Sequence, residues 1–299
     1  MIIRMQRRFD SPSRKVFLAF NSLFLITLGV ICLLPLSHIL ALSLSGKSAA
    51  AAGLVVLWPV EFSTTAYTFV LKRVAFWESM LVTIKRVLIG GSINLILITL
   101  TAYPLSKAAS KFRFRSFFSW FFFFSTLFTG GLIPGYMLVY QLKMIDTIWA
   151  LVLPGAVPVF SVILMLNFFR QIPDELEEAA HMDGANQWRT LFQIYIPCSL
   201  PSIATVALFS IVAHWNSYFD GIIFSNYPSN YPLQSYLRTI IVSSDLTGMA
   251  GDDWKLLQEI SDRTVKAAQI FISALPILAV YPFLQKYFVK GITVGSVKG

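Results

Sequence analysis

Apolar residues along the chain are gathered into long runs, and shorter polar segments separate these runs. Six runs contain the roughly 20 mostly apolar residues that a helix needs to cross a bilayer, where it satisfies its own backbone hydrogen bonds. The pattern therefore predicts an all-α membrane protein with six transmembrane helices. The predicted spans are 16–42, 87–106, 117–141, 147–169, 200–224 and 267–288, in a membrane domain 16–299 that follows an N-terminal tail 1–15.

The composition agrees with this prediction. The 299-residue chain is 56% hydrophobic and 13% charged, whereas soluble domains carry about 25% charged residues. The basic residues before the first apolar run also resemble a cleavable signal peptide. That run is longer than the roughly 7–15 residues of a signal core, so we expect it to remain as a membrane span.

Lysine and arginine residues are distributed unevenly between the polar segments. With the N-terminus inside the cell, the inner segments hold 14 of the 24 lysines and arginines but 6 of the 15 carboxylates. Because cytoplasmic loops are enriched in lysine and arginine, both termini are predicted to be cytoplasmic. The net charge of +9 is concentrated at helix ends, where it meets lipid headgroups, and no nucleic-acid partner is expected. The densest inner cluster is interpreted as a lipid-facing loop and contains Lys107, Lys111, Arg113 and Arg115.

Two of the predicted outer loops are long, and they cover residues 43–86 and 225–266. A third outer loop, residues 142–146, is only a turn. The second long loop combines aromatic and acidic residues, which predicts an external surface for docking or for collecting substrate. These residues are Tyr227, Tyr231, Asp252, Asp253 and Trp254.

One inner loop, residues 170–196, is long enough to fold by itself. Pro173 suits the start of a helix, and the carboxylates that follow it favour the positive end of the helix dipole. Gly184 permits a sharp turn, and Asn186 can cap a second helix. The loop is therefore predicted to be a helix-turn-helix on the cytoplasmic surface, with Pro197 starting the return to the membrane. By composition alone, an ordinary interfacial pair of helices explains it equally well.

The residue spacing in this loop resembles a known motif. Glu178-Ala179-Ala180 is followed four residues later by Gly184, then by nine residues and by Ile194-x-Ile196-Pro197. This order is similar to the EAA loop, E-A-A-x3-G-x9-I-x-L-P, of permease subunits in bacterial binding-protein-dependent ABC importers. Ile196 stands where leucine is usual, which is a mild apolar exchange.

Other blocks of the chain resemble the carbohydrate-uptake branch of these permeases. Within that branch they look most like permeases for polysaccharide fragments such as aldouronates or alginate oligosaccharides. The resemblance implies the type I ABC importer permease fold and uptake of oligosaccharides, with acidic polysaccharide fragments preferred over a neutral sugar. A secondary transporter, which typically has matching halves around an ion site, and a membrane scaffold are the alternatives. The blocks are 102–106, 129–134, 149–156, 214–220 and 295–299.

The resemblance also implies partners. They are a second homologous permease subunit, a cytoplasmic ATPase dimer and an external solute-binding protein, assembled in the bacterial cytoplasmic (inner) membrane. The chain has no GxxxxGK[ST] phosphate loop, so it is predicted to be a transport subunit and not an enzyme. No cofactor or metal is expected in the chain, since ATP and Mg²⁺ are bound by the ATPase. The residues implied to couple the chain to the ATPase are Glu178, Ala179, Ala180, Asp183, Gly184, Ile194 and Pro197.

A mixture of polar and aromatic residues near the outer half of the fifth span suggests a substrate path. Polar groups within a span usually face the bundle interior or a water-filled cavity. Aromatic residues at a span end can equally belong to the interfacial belt. Glycines interrupt the third span, which indicates either a broken helix that lines the path or close helix packing. The candidate path residues are Gly130, Gly131, Tyr136, His214, Trp215, Asn216, Tyr218 and Asp220.

Overall fold

The computed structural model describes residues 12–243 and 261–295. These residues contain helices and no β-strand, so the all-α prediction is confirmed for them. The chain divides into two compact units, Met1–Lys72 with Ser244–Ser273 and Arg73–Ser243 with Ala274–Gly299. Three predicted features lie wholly or mostly outside the described residues: the N-terminal tail as far as residue 11, the outer-loop residues Asp252, Asp253 and Trp254, and the terminal block after residue 295.

The first unit is built around a long N-terminal helix. This helix, α1 (Pro12–Ser43), exposes large apolar side chains along most of its length, which suits a helix surrounded by lipid. Two short helices follow, α2 (Lys47–Ala51) and α3 (Thr65–Lys72). The Ser43 and Tyr67 hydroxyl oxygens are 2.7 Å apart. The unit ends with the first turns of the last helix, α15 (Asp262–Gly295).

The second unit packs around α4 (Val74–Ser106), which lies against α8 (Val159–Phe169) and α12 (Leu200–Asn216). Fully buried apolar side chains from these three helices, including Ile98, Met165 and Val206, form its core. The later part of α15 also belongs to this unit. The remaining helices are α5 (Arg115–Leu127), α6 (Leu132–Gln141), α7 (Ile148–Val152), α9 (Asp174–Met182), α10 (Gln187–Thr190), α11 (Ile196–Cys198), α13 (Phe219–Phe224) and α14 (Leu233–Ser243).

Three helical segments are long and apolar enough to cross a membrane without a break: α1, α4 and the Asp262–Val280 part of α15. Three further pairs pass the same test when each bent pair is taken as one span, so the described residues offer three to six candidate spans, against the six predicted. The pairs are α5 with α6, bent by 113°, Ile148–Gly155 with α8, bent by 51°, and Gln187–Cys198 with α12, bent by 83°.

Glycine and proline account for these breaks. Gly131, between α5 and α6, has φ +86° and ψ 179°, a conformation essentially restricted to glycine. The α7–α8 pair is interrupted at Pro154, Gly155 and Pro158, and α12 carries Pro201 in its first turn. Proline lacks the N–H that would continue the preceding helix. Breaks therefore fall inside the predicted spans 117–141 and 147–169. Within the predicted span 200–224, α12 ends at Asn216 and α13 begins at Phe219.

Candidate functional site

The predicted helix-turn-helix is present and begins with α9. Asp174, Glu175 and Glu177 lie in its first turn, where their charges are stabilised by the helix dipole. The helix ends through Gly184, whose φ is +77°, and the Ala185 N–H donates to the Ala180 carbonyl at 2.9 Å. This bond closes the end of the helix in the usual glycine-dependent manner.

The second helix of the pair starts with a side-chain cap. Asn186 Oδ1 accepts a hydrogen bond from the Arg189 N–H at 2.9 Å and caps α10. Residues Leu191–Tyr195 continue as one turn of π-helix. Pro197 follows and cannot donate to the carbonyl four residues earlier, which favours the wider turn. Of the two predicted coupling residues in this stretch, Ile194 packs against the core and Pro197 is exposed.

The other predicted coupling residues occupy one exposed surface, with one exception. Glu178, Ala179, Asp183 and Gly184 are exposed, whereas Ala180 is buried and faces the protein. One large apolar side chain of α9, Met182, is 88% exposed beside them. Trp188 and Phe192 are also exposed, but they stack on each other and line a groove with residues of α4 and α12. Exposed small residues with a carboxylate and a large apolar side chain among them suit an interaction surface.

The buried acid of α9 is Glu177, which sequence reasoning missed. Its side chain is 1% exposed, and its Oε2 lies 3.0 Å from Lys107 Nζ and 3.5 Å from Lys111 Nζ. The same oxygen accepts a hydrogen bond from the Tyr195 hydroxyl at 3.0 Å. Glu177 lies three residues before Ala180 and therefore on the same helix face. This spacing could have indicated that Glu177 faces the protein if Ala180 does.

Lys107 lies between two aromatic rings. Its Nζ is 4.1 Å from the centroid of the Tyr103 ring and 3.9 Å from that of Tyr195, within the range of cation–π attraction. The prediction that this basic cluster faces lipid is wrong for Lys107, which is 7% exposed. Lys107 directly follows α4, and its ammonium group is turned towards α9 by Glu177.

The ion pair sets the protonation of the buried acid. Burial by itself raises the pKa of Glu177, because it penalises the charged form. The hydrogen bond and charge of Lys107, with the Tyr195 hydrogen bond, outweigh that effect, so the pKa of Glu177 lies below its ordinary value. Glu177 is therefore a carboxylate at neutral pH.

A second charged cluster lies where α4 meets the end of α12 and the start of α13. Arg86 and Asp220 form a bidentate ion pair. Arg86 Nε also donates to His214 Nδ1 at 3.4 Å, and His214 Nε2 lies 3.2 Å from Asn94 Oδ1. The Ser217 hydroxyl donates to Asp220 at 2.8 Å. Two of the predicted path residues, His214 and Asp220, are thus engaged inside the protein.

The remaining predicted path residues divide between buried and exposed positions. Trp215 is buried, while Asn216 and Tyr218 are exposed. Arg238 Cζ lies 5.7 Å from the centroid of the Tyr218 ring. Gly130 and Gly131 are exposed at the break between α5 and α6, and Tyr136 stacks with the rings of Tyr140 and Phe224.

The short turn at 142–146 is tied to the loop that starts at residue 225. Asp146 accepts hydrogen bonds from the Asn226 N–H at 2.6 Å, the Asn226 side-chain amide at 2.7 Å and the Tyr227 N–H at 3.3 Å. Burial raises the pKa of Asp146 and these hydrogen bonds lower it, with the net result below the ordinary value. The arrangement orders the start of the long outer loop.

Neither charged cluster has the composition of a metal centre. Within residues 12–243 and 261–295, no three His, Cys, Asp or Glu side chains come together in a way that could hold a metal ion. The clusters instead join cations to carboxylates and aromatic rings, which favours a role in holding helices in position.

The chain is similar to known transport proteins over nearly its whole length. Residues 2–294 match the family described as "Binding-protein-dependent transport system inner membrane component". The chain is 41% identical over 290 residues to Protein LplC of Bacillus subtilis (strain 168), covering 97% of each. It is 38% identical over 282 residues to the polygalacturonan/rhamnogalacturonan transport system permease protein YtcP of the same strain, covering 92% of this chain and 96% of that one.

A solved structure has the same fold. It is the crystal structure of a bacterial ABC transporter involved in the import of the acidic polysaccharide alginate. One of its chains superimposes with a TM-score of 0.83 and 34% sequence identity, covering 94% of this chain and 99% of that chain.

Proposed function

The chain belongs to the family of binding-protein-dependent transport system inner membrane components, and from this premise we propose how its parts serve import. It has the type I ABC importer permease fold and is a permease subunit, not an enzyme. ATP and Mg²⁺ are bound by the partner ATPase. The chain is a multi-pass protein of the inner membrane.

We infer that the cargo is an oligosaccharide derived from an acidic polysaccharide. Two relatives support this substrate class, since one is named for polygalacturonan and rhamnogalacturonan transport and the other takes part in alginate import. Both cover more than nine tenths of this chain. The inference concerns the class of sugar, and a neutral oligosaccharide is the competing outcome of the test below.

The loop 170–196 is proposed to dock on the ATPase. The observation that carries this proposal is the exposed surface of α9 and its end, where Glu178, Ala179, Asp183 and Gly184 are exposed with Met182. Small residues allow close approach of a partner, and Glu178 offers a charge for a hydrogen-bonded contact. Ala180 and Ile194 support this surface from within the protein by fixing α9 and the turn, and Pro197 fixes the backbone after the turn.

The substrate path is proposed to pass the break between α5 and α6 and the end of α12. The exposure of Gly130, Gly131, Asn216 and Tyr218 supports this location. Tyr136 is proposed to line the same path, because its ring stacks on that of Phe224 in α13. His214, Trp215 and Asp220 are proposed to act from behind, by holding Asn216 and Tyr218 in place through the Arg86 cluster.

The partners follow from the family, and their arrangement is part of the proposal. An importer of this kind works with an ATPase, a solute-binding protein and a second permease. We propose that the second permease is a homologue with its own docking loop and that both termini of this chain are cytoplasmic. The excess of lysine and arginine in the inner segments supports that orientation.

Substitutions on the exposed surface of α9 test the docking proposal. In the purified complex, Glu178→Arg and Gly184→Trp are expected to weaken retention of the ATPase by about tenfold or more, as for interface hot spots, and to abolish transport. The matched controls are Glu178→Asp, which keeps the charge, and Gly184→Asn, which tolerates a positive φ; both should retain the ATPase. Complexes of Glu178→Arg and Gly184→Trp that retain the ATPase and transport normally would contradict the proposal. If the sister permease supplies a second loop, its equivalent position is changed as well.

The cargo is tested in the same reconstituted complex. The binding protein is loaded with acidic oligosaccharides or with neutral oligosaccharides of equal length, and ATP hydrolysis and uptake are measured. Stimulation by the acidic series alone is the expected result. Equal or greater stimulation by the neutral series would replace the acidic class with a neutral one.

A further inference from the structure

We propose that Lys107 and Glu177 form a clamp that fixes the docking helix α9 to the end of the membrane helix α4, so that movement of α9 reaches α4. The two residues are positioning residues for transport and contact neither sugar nor nucleotide. The inference rests on the proposed docking function of the loop 170–196, and it goes beyond that function by naming the route into the membrane.

The clamp joins segments that are distant in sequence. Glu177 lies in the first turn of α9, Lys107 directly follows the last residue of α4, and Tyr195 ends the π-helical turn. The Lys107 Nζ to Glu177 Oε2 distance of 3.0 Å and the Tyr195 to Glu177 hydrogen bond connect all three. A displacement of α9 therefore acts on α4 and on the turn that leads to α12.

The surroundings make the clamp rigid. Both charged side chains are buried, at 7% exposure for Lys107 and 1% for Glu177, so water does not weaken their attraction as it does for surface pairs. The Tyr103 and Tyr195 rings meet edge to face with centroids 4.9 Å apart and enclose the Lys107 ammonium. Tyr103 OH also donates to Gln187 Oε1 at 2.7 Å, which ties α10 to α4.

Few apolar side chains of α9 pack against the rest of the protein. The buried residues of this nine-residue helix are Glu177 and Ala180. Its two larger apolar side chains point outward, with Leu176 43% exposed and Met182 88% exposed. Removing Glu177 leaves the buried Lys107 charge without its carboxylate, and removing Lys107 leaves Glu177 with the longer 3.5 Å contacts to Lys111 and His181; either loss is unfavourable for a buried charge. Loss of the pair is therefore expected to loosen α9 from α4 while its outer docking surface remains intact.

The test uses the complete transporter reconstituted with its ATPase and binding protein. Lys107→Met and Glu177→Gln are compared with Lys111→Met, a matched control. Lys111 lies 3.5 Å from the same carboxylate oxygen but is 42% exposed. Three quantities are measured: retention of the ATPase, ATP hydrolysis, and sugar transported per ATP hydrolysed.

Lys107→Met and Glu177→Gln are expected to retain the ATPase and to hydrolyse ATP. Their transport per ATP should fall by about tenfold, within the usual range of coupling between distant sites. Lys111→Met should stay within about twofold of the unchanged protein, as expected for an exposed ion pair. Lys107→Arg keeps a cation between the rings and should restore most of the coupling.

The outcomes separate the clamp from the docking proposal. Normal transport per ATP in Lys107→Met or Glu177→Gln overturns the clamp, even if Glu178→Arg still releases the ATPase. If Glu178→Arg has no effect, docking itself is wrong. Should Lys107→Met fail to assemble, Glu177→Gln decides, because it keeps the side-chain volume and can still accept the Tyr195 hydrogen bond. A Lys111→Met effect as large as that of Lys107→Met would also overturn the clamp.

Discussion

Gly90 lies where α4 passes closest to the imidazole of His214. A Cβ atom at position 90 would come within 2.6 Å of His214 Cε1 and Nε2, so only glycine leaves room for the ring. The ring has little freedom to move away, since Arg86 and Asn94 contact its two nitrogens. A single missing side chain thus allows the buried Arg86 cluster to assemble.

Gly90→Ala is expected to lower the free energy of unfolding by about 1–3 kcal/mol, the usual cost of overpacking a core. Gly91→Ala is the matched control, because a Cβ there meets nothing within 4 Å. It should be neutral or stabilising by up to about 1 kcal/mol, since alanine favours a helix over glycine. Unfolding of the purified protein in detergent measures both. A Gly90→Ala cost that persists in the His214→Ala background would show that the imidazole is not the obstacle.

At the level of residues, the sequence predicted those features that depend on local backbone chemistry. Gly184 at the turn and Asn186 as a cap are local, and both were predicted correctly. Lys107 and Glu177 are 70 residues apart in the chain, and no local sequence pattern shows that they form an ion pair. Burial of a charge depends on its distant partner, so sequence reasoning assigned Lys107 to a lipid-facing loop and gave Glu177 no role beyond the helix dipole.

At the level of elements, hydropathy identified the apolar segments, and Gly130-Gly131 left a broken helix or close packing as alternatives for the third span. A run of apolar residues reports the thickness of the membrane, and the helix is free to extend beyond it. The helix α4 therefore starts at Val74 although the predicted span starts at residue 87. A break, in contrast, depends on one or two residues. Gly131, with φ +86°, prevents α5 and α6 from forming one continuous helix. The sequence alone does not distinguish glycines that bend a helix from glycines that pack closely against a neighbouring helix, because the difference lies in tertiary contacts.

At the level of the whole molecule, a large apolar surface remains uncovered. In the second unit, α5 has no buried residue, and its phenylalanines other than Phe122 are exposed. In the first unit, α1 exposes large apolar side chains. Lipid and a second permease are the partners that such surfaces require. The fold class and the family could be predicted because composition, span length and the spacing of the docking loop are properties of the whole sequence. Contacts with partner subunits depend on surfaces that this chain does not contain.

The orientation of the molecule in the membrane is tested with a matched pair of exposed serines. Ser110 lies in the loop after α4, and Ser229 lies in the loop after α13. The native cysteines, Cys32 and Cys198, are exposed and are first replaced by serine. If the lysine and arginine bias sets the orientation, a membrane-impermeant maleimide added to intact spheroplasts should label Ser229→Cys and leave Ser110→Cys unmodified. Inverted vesicles should give the opposite pattern. The reverse result in both preparations would move the docking loop to the outer side, where no ATPase could reach it, and would remove the basis of the coupling proposal.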